Sequence, residues 1–426
     1  MLSLSLCRAV LSLCLVAALG GIQAGLAQVL PPTVPESVAV SSERLERLTA
    51  TLQHYVDDGQ LAGAVALVAR QGRVVYHEAL GMRDMESRER MQQDTIFRIA
   101  SQTKALVSVA IMVLQERGKL LISDDLSEYL PEFEATTVAV KQDDGGYEVE
   151  PSRRPITLRD LLTHTAGIDY GTGIAEDRWA KADIQGWYFA HRDETVRDTV
   201  SRMASLPFAA HPGERFVYGY NTDILGAVIE RVSGQSLDAF LREAILEPLG
   251  MEDTHFYLPP NKVGRLATVY SATDSGLKRA PEPGLGIGQG HYVKGPRVSL
   301  SGGAGLLSTA EDYGRFLQML LNGGCLDGRR VLSRKSVELM TVDHLNGIPF
   351  RAGQGFGLGF SVVTDLGARG QPGSVGEFGW GGAYHSTYWV DPQEGLVVVY
   401  LTQLIPAGGL DEHAKLRALV YQALAD

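Results

Sequence analysis

Residues 103–117 form a stretch that is apolar almost all round a helical projection, from Leu106 and Val109 through Met112 to Leu114, and it stops at Gly118. A helix with no polar face must be covered on every side, so this segment belongs inside the core. Strand patterns lie towards the two ends of the chain. Residues 64–69 are apolar, with β-branched Val65 and Val68; after a Gln71-Gly72 turn the pattern resumes over 74–79, which reads as a hairpin. Residues 357–364, 387–390 and 396–401 read as further strands. Helices are expected over 223–232 (stopped by Ser233-Gly234), 236–247 (closed by Pro248-Leu249-Gly250), 309–321 (with Thr309 as cap) and 412–425. Residues 135–155 are polar and read as an irregular surface insertion; residues 271–295, rich in Gly and Pro, read as a long loop. Strands at both ends with helices between them predict an α+β chain, one sheet built from the two terminal segments and a mostly helical region inserted. The sheet portion is expected to comprise 28–100 and 296–426, and the helical region 101–295.

Composition narrows the function classes. With 45 % hydrophobic and 21 % charged residues, the chain is neither disordered nor a polytopic membrane protein. Lys and Arg number 39 against 50 Asp and Glu, a formal charge of −11, which argues against nucleic acid as a partner. Residues 1–27 carry Arg8 and no acidic residue, then an apolar run over 9–19 and the small-residue end Gly25-Leu26-Ala27, the pattern of a secretory signal. The expected location is therefore the periplasm or the exterior. Leu13 before Cys14 argues against lipidation, and no later stretch is apolar and long enough to span a bilayer. Cys7 and Cys14 fall in the leader, leaving Cys325 alone in a Gly-rich turn, where it reads as structural.

Several familiar chemistries are missing. There is no Gly-x-Ser-x-Gly nucleophile elbow and no His-Glu-x-x-His, and the ten His are scattered, so no metal site is expected. The glycines at 284, 286, 288 and 290 alternate without forming a dinucleotide cradle. Ser-x-x-Lys occurs twice, as Ser101-Gln102-Thr103-Lys104 and Ser275-Gly276-Leu277-Lys278. The second lies in the Gly/Pro loop, where nothing holds the serine against the lysine. The first opens the buried helix, where positions i and i+3 share a face. A helix start offers unpaired N–H groups and a positive dipole end, and burial weakens a lysine's hold on its proton. Lys104 is then a base for Ser101, or else Ser101 is a helix cap beside a lysine that reaches for water; these residues alone support both.

Longer motifs carry a resemblance. Phe97-Arg98-Ile99-Ala100-Ser101-Gln102-Thr103-Lys104-Ala105 resembles the nucleophile motif of serine β-lactamase-related hydrolases, and Ile156-Thr157-Leu158-Arg159-Asp160-Leu161-Leu162-Thr163-His164-Thr165-Ala166-Gly167 resembles their most recognisable internal stretch. Pro212-Gly213-Glu214, then Phe216-Val217-Tyr218 and Leu225-Gly226, are similar to the tyrosine segment; Glu247-Pro248-Leu249-Gly250-Met251 and Gly302-Gly303-Ala304-Gly305-Leu306 match again. Trp380-Gly381-Gly382-Ala383 stands where class C β-lactamases have Lys-Thr-Gly-Ala, which resembles the family VIII carboxylesterases. The likeness runs from about residue 40 to the end of the chain. It implies a β-lactamase/transpeptidase-like fold, an antiparallel sheet from the N- and C-terminal segments flanked by helices. It implies Ser101 as acylated nucleophile, Lys104 and Tyr218 sharing the proton transfers, and an oxyanion hole from the N–H groups of Ser101 and Ala383. It further implies substrate contacts from Trp380, Gly381 and Gly382, no metal or cofactor, and a small-molecule ester as partner.

One departure matters. The family often shows Tyr-x-Asn, whereas here Tyr218-Gly219-Tyr220-Asn221 places the Asn one position late. Tyr218 is taken as catalytic from its spacing to Asp223 and Leu225-Gly226, with Tyr220 as the alternative base. Otherwise Tyr220 fills the Asn place as a substrate-binding residue. His164 is expected to hydrogen-bond backbone in a Thr-rich turn, and His385 either to line the cleft or to sit exposed. Trp187, Tyr188 and Phe189 either wall an acyl pocket or pack the helical region. The implied activity is that of an exported serine carboxylesterase for small to medium acyl esters. The rivals are a class C-type β-lactamase, a D,D-peptidase or D-aminopeptidase, an acyltransferase, and a binding protein without catalysis.

Overall fold

The computed structural model describes residues 30–143 and 145–426; the leader expected over residues 1–27, with Cys7 and Cys14, lies outside the described residues. The centre is an eight-stranded sheet. Its strands are β1 (Gly63–Arg70), β2 (Arg73–Asp84), β3 (Glu89–Arg90), β4 (Gln354–Phe356), β5 (Ser361–Val363), β6 (Phe378–Gly382), β7 (Ser386–Asp391) and β8 (Leu396–Leu401). They run in the order β4-β5-β6-β7-β8-β1-β2-β3 with every neighbouring pair antiparallel. β1 thus joins the two ends of the chain: Val65 lies opposite Ala79 on one side and Leu401 on the other.

The main helices are α1 (Ser42–Asp57), α2 (Thr103–Glu116), α3 (Asn221–Ser233), α4 (Ala310–Leu321) and α5 (Glu412–Gln422); α1, α2, α4 and α5 share cores with the sheet, and α3 packs on α2. Side chains alternate across a strand. Val65, Leu67 and Ala69 therefore enter the core shared with α2 and α4, while Ala64, Ala66 and Val68 face α1 and α5. A strand covered on both faces has no solvent side to be polar, which explains the unbroken apolar run at 64–69. α2 is buried at every position from Thr103 to Leu114, as its lack of a polar face requires. α4 starts at Thr309, whose hydroxyl accepts from the Asp312 N–H at 3.1 Å, and α3 ends on Gly234 at φ 72°. Among the described residues, no helix is long and apolar enough to cross a membrane.

Three expectations need correction. Residues 135–155 hold a regular hairpin, Thr137–Lys141 against Tyr147–Pro151. Val138 and Ala139 are buried, and Ala139 N–H donates to Phe208 O at 2.8 Å; Glu148 and Glu150, opposite Val140 and Val138, concealed the strand period. Residues 271–295 include a second small hairpin, Tyr270–Thr273 with Gly276–Arg279. The strand expected over 357–364 is shortened to β5: residues 357–360 form a tight turn between β4 and β5, with Gly359 at φ 97°. A Cβ there would lie 2.3 Å from the buried Ser108 Oγ on α2. We expect Gly359→Ala to lower stability by about 2–4 kcal/mol through backbone strain and overlap combined, read as a lower urea midpoint at unchanged slope.

Candidate active site

Ser101 lies in a tight 3₁₀ turn, Ala100–Gln102, that leads directly into α2. Ala100 has φ 42°, a left-handed backbone at a residue with a Cβ, so strain is stored immediately before the serine. The surroundings hold it: Phe97 and Arg98 pair with Ser308 and Leu307, and Ile99 N–H donates to Leu306 O at 3.1 Å. Arg98 is buried and spends its guanidinium on the carbonyls of Ala267 (2.6 Å) and Gln289 (2.8 Å).

One turn on, Lys104 is only 2 % exposed. Its Nζ lies 3.3 Å from Ser101 Oγ, 2.7 Å from Gly303 O and 3.1 Å from Tyr170 Oη, and 4.7 Å from the centre of the Tyr218 ring. Buried Asp223 on α3 secures this carbonyl: its Oδ1 accepts from Gly303 N–H at 3.0 Å and from Ser301 Oγ at 2.6 Å. Burial pushes the Asp223 carboxyl up, against the opposing pull of Ser301 and Lys104. Tyr170 is a member that local sequence pattern did not single out. Burial raises its phenol well above the ordinary range, reinforced by neighbouring Tyr218, so it stays protonated as a partner for Lys104.

Tyr218 faces the same cleft. Its Oη accepts from the Trp380 indole N–H at 3.0 Å, and its ring packs 4.6 Å from the His164 ring. His164 is not a backbone binder as expected: it is buried, and its Nδ1 is 2.9 Å from Asn221 Nδ2. Burial, aided by the charge of Lys104, holds its imidazole well below its usual pKa, hence neutral at pH 7. Asn221 also donates to Ile168 O and Val217 O, both at 3.2 Å, so the late Asn fastens the loops that carry Tyr218.

Tyr220 requires a correction: it does not reach the cleft. It is fully buried, its ring lies 5.7 Å from Trp179 and 5.6 Å from Phe189, and its hydroxyl donates to Gly186 O at 2.8 Å. Its role is packing, and the substrate contact expected of it falls away. Of the expected aromatic wall, Trp187 lines the cleft, whereas Tyr188 turns to His291 and Phe189 to Tyr220.

The opposite wall is the end of β6. Gly382 packs so closely that a Cβ would stand 2.5 Å from Ile99 O, and Gln102 Nε2 donates to Ser386 Oγ at 3.0 Å. β6 is thereby pressed against the Ser101 turn, and Ala383 shares a cleft of about 610 Å³ with Ser101, Tyr170, Tyr218, Trp380, Gly381 and Gly382. Arg351, also unnoticed in the sequence, lines the cleft with its guanidinium 4.8 Å from the Trp380 ring centre. The second Ser-x-x-Lys is elsewhere: Ser275 and Lys278 are exposed on the small hairpin, and Ser275 Oγ meets Thr273 Oγ1 at 3.1 Å. Cys325 is half-buried in a short hairpin.

Comparison with known proteins bears on the family and the fold. The family model described as Beta-lactamase matches residues 48–422. The chain is 33 % identical to Esterase EstB of Burkholderia gladioli over 371 residues, covering 84 % of this chain and 89 % of that protein. It is 31 % identical to Lovastatin esterase of Penicillium rubens over 398 residues, covering 85 % and 94 % of the two chains. Among solved structures, EstCE1, described as a hydrolase with promiscuous acyltransferase activity, superposes with a TM-score of 0.74 at 30 % identity, over 89 % of this chain and 98 % of that one.

Proposed function

Starting from a chain that belongs to the beta-lactamase family and is a serine hydrolase of the ester-cleaving kind, we propose an exported carboxylesterase. It hydrolyses small to medium acyl esters through an acyl-enzyme on Ser101. The observation that carries this reading is the surround of Lys104 Nζ. Gly303 O and Tyr170 Oη occupy two of its hydrogen-bonding directions, and Ser101 Oγ stands in the third. That direction is the one open to proton exchange with the nucleophile.

In the proposed cycle Ser101 Oγ attacks the ester carbonyl while its proton passes to the Lys104–Tyr218 pair. The tetrahedral oxyanion is received by the N–H groups of Ser101 and Ala383. Collapse expels the alcohol, which takes the proton back from the pair. Water then repeats the sequence on the acyl-enzyme and frees the acid. The Trp380 N–H bonded to Tyr218 Oη fixes where the phenol oxygen stands in the cleft.

The strand position that class C β-lactamases fill with lysine carries Trp380, which is neutral. A β-lactam carboxylate that loses such a partner forfeits about 1.5–3 kcal/mol, roughly 10- to 100-fold. Arg351, stacked over the same indole, supports a second reading in which β-lactams are turned over slowly. We expect kcat/KM for p-nitrophenyl butyrate to exceed that for nitrocefin by at least about 100-fold when both are assayed on one preparation. Nitrocefin efficiency equal to the ester's would replace the esterase reading with a β-lactamase one. Addition of a primary alcohol separates hydrolysis from acyl transfer, because a transferase yields the new ester in preference to the free acid.

A further inference from the structure

Beyond Ala383 the chain turns into β7 through His385, which has a left-handed backbone at φ 61°. Its imidazole meets two side chains from the first turn of α5. His385 Nε2 is in ion-pair contact with Glu412 Oε1, and His413 Nε2 stands 3.7 Å from the same oxygen. The two imidazole rings stack, with centroids 4.2 Å apart. One donor atom from each of the three residues lies within 4.8 Å of the others. His385 thus neither lines the cleft nor sits exposed, as the sequence suggested.

The polar groups here are poorly satisfied. Glu412 is wholly buried, and neither of its oxygens, nor Nε2 of either histidine, has a hydrogen bond of acceptable geometry. His385 alone faces this carboxylate closely and the second oxygen has no partner, a costly state for a buried carboxylate unless a further cation compensates it. The N-terminus of α5 favours anions, so any cation seated here depends on the full charge of Glu412. Two imidazole nitrogens and one carboxylate form a donor set matched to borderline dications such as Zn²⁺, Co²⁺ or Ni²⁺, and poorly matched to Ca²⁺ or Mg²⁺.

We propose that His385, Glu412 and His413 bind a divalent transition-metal cation of the zinc class. The His413 side of the cluster opens on the cleft, which gives the ion a route in and leaves room for water in its remaining positions. A bound ion ties the start of α5 to the turn that follows Ala383, stiffening the wall opposite Ser101. The site is separate from Ser101, Lys104 and Tyr218, and binding there does not depend on the esterase reading.

The test uses the full chain, stripped with chelator and dialysed against limiting ZnCl₂. The expected result is about one equivalent of zinc by elemental analysis, and a Co²⁺ form with visible d–d bands of a low-symmetry nitrogen/oxygen site. Glu412→Gln and His413→Asn each lower zinc affinity by about 10- to 100-fold or more. His54→Ala, which removes an exposed imidazole on α1, leaves it unchanged. Wild-type protein that retains no zinc overturns the proposal without any variant. Retention unaltered in both folded variants overturns it as well, because the ion then sits elsewhere.

Discussion

Ser101→Ala lowers kcat/KM for p-nitrophenyl butyrate by on the order of 10⁴- to 10⁶-fold, while Ser275→Ala stays within twofold of wild type. Both serines precede a lysine by three positions, so sequence spacing alone treats them equally. The structure separates them. Ser101 sits on a strained turn with Lys104 Nζ at 3.3 Å and a cleft in front of it. Ser275 sits on an exposed hairpin with a threonine hydroxyl as its partner. The check is steady-state kinetics together with intact-mass measurement after incubation with a p-nitrophenyl phosphonate and mapping of the labelled peptide. An adduct on Ser275, or an active Ser101→Ala protein, removes the assignment.

Lys104→Ala and Tyr218→Phe each reduce kcat by about 10²- to 10⁴-fold, and the double variant loses little more than the worse single one. Groups that pass one proton between them act as a unit, so the second removal finds nothing left to disable. Lys104 loses three partners at once when truncated, Ser101, Gly303 and Tyr170, so its effect is the larger. Tyr218→Phe removes the oxygen that Trp380 N–H donates to but keeps the ring against His164. Tyr220→Phe instead loses a buried hydrogen bond to Gly186 O, costing about 1 kcal/mol of stability with kcat within a few-fold. A dead Tyr220→Phe with an active Tyr218→Phe would shift the catalytic register by two residues.

The elements that dominate the fold were legible because their burial is extreme. An apolar run with no alternation at 64–69 and a helix with no polar face at 103–117 each admit one environment, and both are found there. The hairpin at 137–151 was not legible, because Glu148 and Glu150 stand opposite Val140 and Val138 and interrupt the apolar pattern of that face, Glu150 being held there by His211. The serine and its lysine were readable from local spacing, since both lie on one turn. Tyr170 was not, because loop closure alone brings it from 66 positions away to the ammonium. Tyr220 was misread because the Tyr-x-Asn register of the resemblance put it in the Asn place, and register says nothing of which way the ring turns. Only its closure against Trp179 and Phe189 decides that.

The position of β1 has a consequence for how the chain is made. Synthesis delivers β1 and β2 early, and they close as a hairpin at once. The other edge of β1 has no partner until β8 appears more than three hundred positions later, when Val65 meets Leu401. Throughout that interval an eight-residue strand, apolar on both sides, exposes an open row of backbone donors and acceptors. The chain therefore has a long interval of aggregation risk and a late, slow closing step, as expected for distant pairings. Anything that delays release of the last hundred residues, from ribosome pausing to slow translocation, should reduce the yield of soluble protein far more than it alters the stability of the molecules that finish.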